Sequence, residues 1–404
     1  MFLSKLESLK DALKLIEDNQ KVTETEIIPL KDAHKRVLAE DIVSFHDYPP
    51  FDKSTRDGFA LKSQDTFSLS NSNPKTFKII DSIGAGSASS KTVNEGEAIV
   101  IATGAPIPSG ADAVVMKEYS KTNGSEVVLF REAEPGENII SKASDIEKGT
   151  LILKKNTLIK SGELGLIASS GYDEVKVFKK PRVKLIITGS ELVEPSKTLE
   201  NSKIINSNQF TVSSLIKDSG TLADIVHIKD DFESVRDAIY EASLKYDVVI
   251  TTGGTAVSKG DLVLKAVEST GEILFHGVNL RPGKLIGAGM VNDTMVFTLS
   301  GRPFAAGVQF DVFVRRYLFK MQGRNLEFNR VKRKAMFSYG SKPGMYDLSR
   351  TFCDDNYVRA VLNRKSDIIQ SIICPNSYML LDKNNAGFEK GDLVEVIFFN
   401  SIVW

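Results

Sequence analysis

Apolar residues follow two kinds of spacing along this chain, and the changes between them divide it. Leu3, Leu6, Leu9, Leu13 and Ile16 recur every three or four positions with Lys and Glu between them, which predicts an amphipathic helix packed on a neighbour. A second helical pattern begins near Lys31, with Ala33, Val37 and Leu38, and ends before Tyr48-Pro49-Pro50, where successive prolines hold the backbone extended. From Lys75 to Lys179 the runs shorten. Residues 76–83, 98–102, 113–119, 126–130, 150–153 and 175–178 read as strands separated by Gly, Pro, Asn and Ser, with one short helix over 161–170 closed by Gly171. Past Lys179-Lys180-Pro181, strands over 183–187, 223–228, 248–251, 273–275 and 296–299 alternate with helices over 209–217, 232–244, 262–269 and 304–320. Such alternation predicts βαβ units with right-handed crossovers and a mostly parallel sheet. Residues 330–404 return to β spacing and read as a small barrel or sandwich. The fold class expected is therefore multidomain α/β plus β: a central three-layer α/β domain, β-rich N-terminal domains and a small C-terminal β-barrel.

Candidate chemistry gathers where strands end. The run 248–251 is apolar or β-branched throughout, as a strand buried on both faces must be, and Gly253 and Gly254 stop it. Two glycines there let the backbone turn tightly and approach a ligand, and Thr252, Thr255 and Ser258 surround them with hydroxyls suited to a phosphate or similar anion. Asp261 opens the next helical run, so its hard oxygens stand at the ligand edge of the sheet, where Mg²⁺ could be held against a phosphate. An N-cap aspartate after an ordinary Gly-Gly turn explains the same residue. Glu191, after the first strand of the alternating region, and Asn206 belong to that edge too. L-R-P-G-K places Arg281 and Lys284 around a Pro-Gly turn, and L-S-G-R-P places Arg302 before a helix. Cations on two such loops are what an anionic substrate needs, although loop cations are commonly only solvated. Nearer the N-terminus, P-P-F-D-K-S-T-R-D-G-F-A puts Asp52 and Asp57 beside Lys53 and Arg56, which a plain surface turn explains equally well. Thr103 follows a strand in A-T-G-A-P-I-P-S-G, and Asp145 lies in P-G-E-N-I-I-S-K-A-S-D.

Composition narrows the partners. Lys plus Arg and Asp plus Glu both number 52 in 404 residues, so the formal net charge is zero and the basic stripe of a nucleic-acid binder is missing. No apolar run approaches the roughly 18 residues of a membrane span, and the charged N-terminus is unlike a secretion signal, so no membrane partner and a cytoplasmic location are expected. Cys353 and Cys374 make neither a disulfide framework nor a thiolate metal site. The four histidines, His34, His46, His227 and His276, lack metal-ligand spacing and read as surface or packing residues.

Taken together in one fixed order, these motifs make the chain resemble the molybdopterin molybdenumtransferase (MoeA-like) family, whose animal relative is the C-terminal part of gephyrin. The match runs from P-P-F-D-K-S-T-R-D-G-F-A through A-T-G-A-P-I-P-S-G-A-D-A-V-V, I-I-T-G-S-E-L, T-T-G-G-T-A-V-S-K-G-D, R-P-G-K and L-S-G-R-P to the terminal E-K-G-D-L-V-E-V. The resemblance implies a homodimer that transfers molybdate to adenylylated molybdopterin (molybdopterin-AMP) with Mg²⁺, releasing AMP and the molybdenum cofactor. Other cofactor-biosynthesis proteins are possible partners. It implies a dimerisation domain of residues 1–48 and 138–180, a β-rich insertion of 49–137, a molybdopterin-binding α/β domain of 181–325 and a barrel of 326–404. Asp57, Thr103, Asp145, Glu191 and Asp261 match residues of the family's active cleft, and Lys284 matches a lysine of its P-G-K loop. By the same resemblance Asp57, Glu191 and Asp261 are catalytic, with Glu191 and Asp261 holding the metal. Thr103, Asp145, Asn206, Thr252, Gly253, Gly254, Ser258, Arg281, Lys284 and Arg302 bind substrate. The cleft is expected to form between two subunits.

The departures are as specific. The family usually reads F-D-N-S-A-M-D-G-Y-A where this chain has Lys53, Thr55 and Arg56; Asp-Ser-Asn where it has Asn206-Ser207-Asn208; G-G-V-S-V-G where it has Ser258 followed by Lys259; and L-P-G-N-P where it has Ser300 and Arg302. One carboxylate is lost and cations are gained, which favours anions and weakens Mg²⁺. A catalytically altered or inactive paralogue acting as a molybdopterin-binding or scaffold protein is the alternative reading.

Overall fold

The computed structural model describes residues 6–195, 202–254, 261–326, 330–361 and 375–398. Its centre is a six-stranded sheet in the order Ala223–Ile228, Val183–Thr188, Val248–Thr252, Thr294–Leu299, Gly287–Val291, Glu272–His276. All run in one direction except Gly287–Val291, which is antiparallel to both of its neighbours. Val248–Thr252 is buried at every residue, as its unbroken apolar run requires of an interior strand. Alternate residues face opposite layers. Val183, Leu185 and Ile187 pack with Val212 and Ile216 of helix Asn208–Lys217 and with Phe304, while Ile186 and Val249 pack with Val235, Ile239 and Val263 of helices Phe232–Ser243 and Leu262–Thr270.

The strand Gly287–Val291 went unread in the sequence. Its glycines hid it, and packing explains them: a Cβ on Gly287 would stand 2.7 Å from Thr298 Oγ1, and one on Gly289 2.6 Å from Val267 Cγ1. The helix expected from Lys31 is also corrected. Only a short 3₁₀ turn, Leu30–Asp32, forms; Lys35 then takes a left-handed backbone (φ 61°), and Val37 and Leu38 bridge to Leu158 and Val177. Their burial comes from strand-like pairing, which mimicked helical spacing.

Helix Leu9–Asp18, capped by Ser8, buries Ala12 and Ile16 in the same core as Val183, Leu185 and Val278. The chain then leaves the sheet at about residue 20 and returns at 180, and the two crossings lie side by side: Lys179 N donates to Glu24 O at 2.8 Å, and Thr23 Oγ1 to Lys179 O at 2.7 Å. This excursion holds the antiparallel pair Thr25–Pro29 and Glu174–Phe178, and a six-stranded sheet with its own core around Phe59, Phe77, Val115 and Val127. At the other end, Tyr346–Cys353, Tyr357–Ala360, Arg330–Ala335, Leu393–Phe398 and Ser377–Leu381 pair in turn, and the last pairs back with the first, closing a five-stranded barrel. Helical structure from Pro303 to Met321 joins barrel to sheet. Within its wide π turn, Phe310–Val314, buried Asp311 accepts from Arg315 Nη2 (2.8 Å) and from Tyr378 Oη of the barrel (3.0 Å). No helix among the described residues is long and apolar enough to cross a membrane.

Candidate active site

Sheet order fixes where a ligand can enter. Val183–Thr188 comes first in sequence but lies between Ala223–Ile228 and Val248–Thr252, so the crossovers leave it in opposite directions and open a crevice at the strands' carboxyl ends. The glycine turn stands there. Gly253 (φ 94°) lies so close to the first strand that a Cβ would be 2.1 Å from Thr188 O, and Gly254 (φ 67°) would place one 2.7 Å from Val263 Cγ2. Thr252 is buried before the turn, and Glu191 is exposed, its Oε1 3.1 Å from where a Cβ on Gly189 would stand. Thr188 Oγ1 donates to Asp230 Oδ1 at 3.0 Å, a carboxylate that the motif reading passed over although it directly follows a predicted strand. Thr255, Ser258, Lys259 and Cys374 lie outside the described residues.

Of the two sequence readings of Asp261, the structure bears out the helix cap. Its Oδ1 accepts from Leu264 N at 3.0 Å and caps helix Leu262–Thr270. Its Oδ2 is buried without a hydrogen bond, 3.2 Å from Nε2 of the equally enclosed His276. Among the described residues no three His, Cys, Asp or Glu side chains gather as a cage for a metal.

The remaining candidates divide by what they touch. Asn206, 1% exposed, exchanges hydrogen bonds with Gln209 (3.0 and 3.2 Å) and so starts helix Asn208–Lys217. Arg281 is held by Asp347 and by Tyr339 Oη (3.3 Å) of the barrel, and the pair keeps its guanidinium charged. Lys284 and Arg302 are exposed on neighbouring loops. Those loops meet on Gln309, which is fully buried: its Oε1 accepts from Ser300 N (2.7 Å) and its Nε2 donates to Gly283 O (3.0 Å). Sequence reasoning missed Gln309 because it sits in an apolar helical run; an amide there was the one signal.

A second cluster forms in the excursion. Asp57 Oδ1 accepts from both the backbone N and Oγ1 of Thr103, each at 2.8 Å, and Lys117 Nζ stands 3.4 Å from Oδ2. The Thr103 amide first, then its hydroxyl, and then Lys117 hold the Asp57 carboxyl below the ordinary carboxylate range. Asp145 N donates to Tyr48 O (3.1 Å) and Lys142 N to Asp52 Oδ1 (2.7 Å), so the loops carrying Asp57 and Asp145 run side by side, joined by strands Lys53–Ser54 and Ile139–Ile140. Thr103→Val, which removes the hydroxyl and keeps the amide, should raise the Asp57 pKa part of the way back. An NMR titration of the Asp57 carboxyl carbon reads this. The sign follows from the depressed value: the interaction is present above the unfolded pKa and lost as pH falls through the folded one.

Known proteins resemble this chain along most of its length. Residues 7–171 match the family profile described as "MoeA N-terminal region (domain I and II)", and residues 184–320 match "Probable molybdopterin binding domain". The molybdopterin molybdenumtransferase of Staphylococcus aureus is 36% identical over 97% of this chain and 96% of its own length. That of Bacillus subtilis is 34% identical over 96% of this chain and 93% of its own. The crystal structure of the molybdopterin biosynthesis moeA protein from Pyrococcus horikoshii superposes with a TM-score of 0.83 at 31% identity, covering 98% of this chain and all of that one. With both family regions matched in order and such identity over nearly its whole length, this chain belongs to the molybdopterin molybdenumtransferase (MoeA) family.

Proposed function

We propose that this protein acts in molybdenum cofactor biosynthesis as a transferase that inserts molybdate into adenylylated molybdopterin and releases AMP. The observation that carries the reading is the Gly253-Gly254 turn pressed against Thr188 at the sheet's crevice, with carboxylates and cations on the loops around it. The glycines admit a pyrophosphate to the backbone, and Lys284 and Arg302 supply positive charge for it and for the oxyanion. The donor set suits Mg²⁺, which takes one or two carboxylates together with substrate phosphates: Asp261 has a buried oxygen with no hydrogen bond, and Glu191 is an exposed carboxylate on the same edge. Bound there, the ion would neutralise charge on the pyrophosphate as the bond between its two phosphates breaks to release AMP.

The Asp57, Thr103 and Asp145 cluster forms the other half of the site in this reading, contributed by a second subunit of a cytoplasmic homodimer whose contacts include residues 1–48 and 138–180. Purified protein given adenylylated molybdopterin, molybdate and Mg²⁺ should release AMP, and none released would overturn the assignment. Within that assay Arg302→Asn should weaken substrate binding more at low salt than at high salt, since screening shortens the reach of a charge. Equal affinity for both proteins at both salt levels would remove Arg302 from the site.

A further inference from the structure

The site's two cationic loops hang on a single buried side chain. Gln309 Oε1 takes the amide proton of Ser300, two residues before Arg302, while Nε2 donates to the carbonyl of Gly283, one residue before Lys284. Gly283 (φ 113°) rests on the stem of the same side chain: a Cβ there would be 3.1 Å from Gln309 Cγ. Ser300 Oγ in turn accepts from Arg302 N at 3.2 Å, so the bond network continues to the backbone of Arg302.

Chemistry explains why this chain needs the link. The family pattern has proline where Ser300 stands, and proline brings no N–H. Serine brings a donor into a position only 9% exposed, where an unpaired amide is costly, and Gln309 supplies the acceptor. The same amide has a second, donating end, and that end reaches the other loop.

We propose that Gln309 is a positioning residue that couples the P-G-K loop to the S-G-R loop, so that Lys284 and Arg302 form one two-cation clamp on the pyrophosphate of adenylylated molybdopterin. This rests on the anion-binding reading of the site. Gln309→Leu removes both bonds at once. Amide hydrogen exchange of the whole protein should then rise together in segments 283–286, where Ile286 N donates to Gly283 O, and 299–303, by about tenfold, the weight of one buried hydrogen bond. The KM for adenylylated molybdopterin should rise by about tenfold with kcat within about twofold, the signature of lost binding in ground and transition states alike.

Ser300→Pro added to Gln309→Leu removes the orphaned donor. It should recover the stability that the orphaned donor costs, but not the protection of 283–286, where the Gly283 carbonyl still lacks its bond from Gln309. If Gln309→Leu does not fold, Gln309→Glu, read at a pH where its carboxyl is ionised, keeps the acceptor for Ser300 and loses the donor for Gly283, so only 283–286 should loosen. Exchange that rises in one loop alone in Gln309→Leu, or in both with KM unchanged, overturns the proposal. A wild-type protein that releases no AMP refutes the transferase reading instead, while exchange still decides whether the loops are coupled.

Discussion

Asp261→Asn is expected to lower AMP release at least about a hundredfold, the scale of losing one preorganised charge at a reacting group. Its folding free energy should stay within about 0.5 kcal/mol, because asparagine caps a helix as well as aspartate does. The choice of asparagine follows from the geometry. Oδ1 serves the amide of Leu264 and Oδ2 lies buried beside His276, so alanine would also remove the cap, at about 1 kcal/mol, and blur the two roles. Glu191→Gln should behave alike, with no cost to folding, since the side chain is exposed on a loop. AMP release measured beside urea unfolding separates activity from stability. Full activity in either variant would strike that carboxylate from the site.

Mixing two dead proteins should give back a live one. If Asp57 and Asp261 of one site come from different chains, Asp57→Ala and Asp261→Ala are each inactive, and a heterodimer of the two has one doubly mutated site and one intact site. With random pairing about a quarter of all sites should recover after dissociation and reassociation. The bonds that fix Asp57 come from Thr103 and Lys117, whereas those that fix Asp261 come from its own helix, so each half-site is built independently and can be supplied by a separate chain. Mixtures that stay inactive, with heterodimers demonstrated by differential tagging, would place both aspartates in one subunit.

Much of this was legible in the sequence where one local rule governs one residue. An apolar run ended by two glycines can be little else than a buried strand and a tight turn, and the structure adds only that Thr188 is what those glycines approach. The parallel core followed from strand spacing in the same way, whereas spacing allowed a barrel or a sandwich for 330–404 and the pairing of Tyr346–Cys353 with Ser377–Leu381 decided for the barrel. What stayed hidden depends on partners distant in sequence. Nothing near Arg281 announces Asp347, nothing near Ser300 announces Gln309, and Gly287–Val291 looks like a loop until helix Leu262–Thr270 is laid across it. Val37 and Leu38 carried helical spacing, yet distant Leu158 and Val177 decided their conformation.

Order of synthesis puts a cost on the way the chain leaves its central sheet and comes back. Helix Leu9–Asp18 is made first, but Val183, Leu185 and Val278, against which Ala12 and Ile16 pack, emerge only after the whole excursion has been translated. At typical rates of elongation that is a delay of about ten to thirty seconds. Throughout it the apolar face of Leu9, Leu13 and Ile16 has no native partner, while the excursion, with its own core, can already fold. The ribosome-bound chain is therefore a folded module trailing an unsatisfied amphipathic segment, the kind of surface on which a holding chaperone acts and from which misassembly between nascent chains begins.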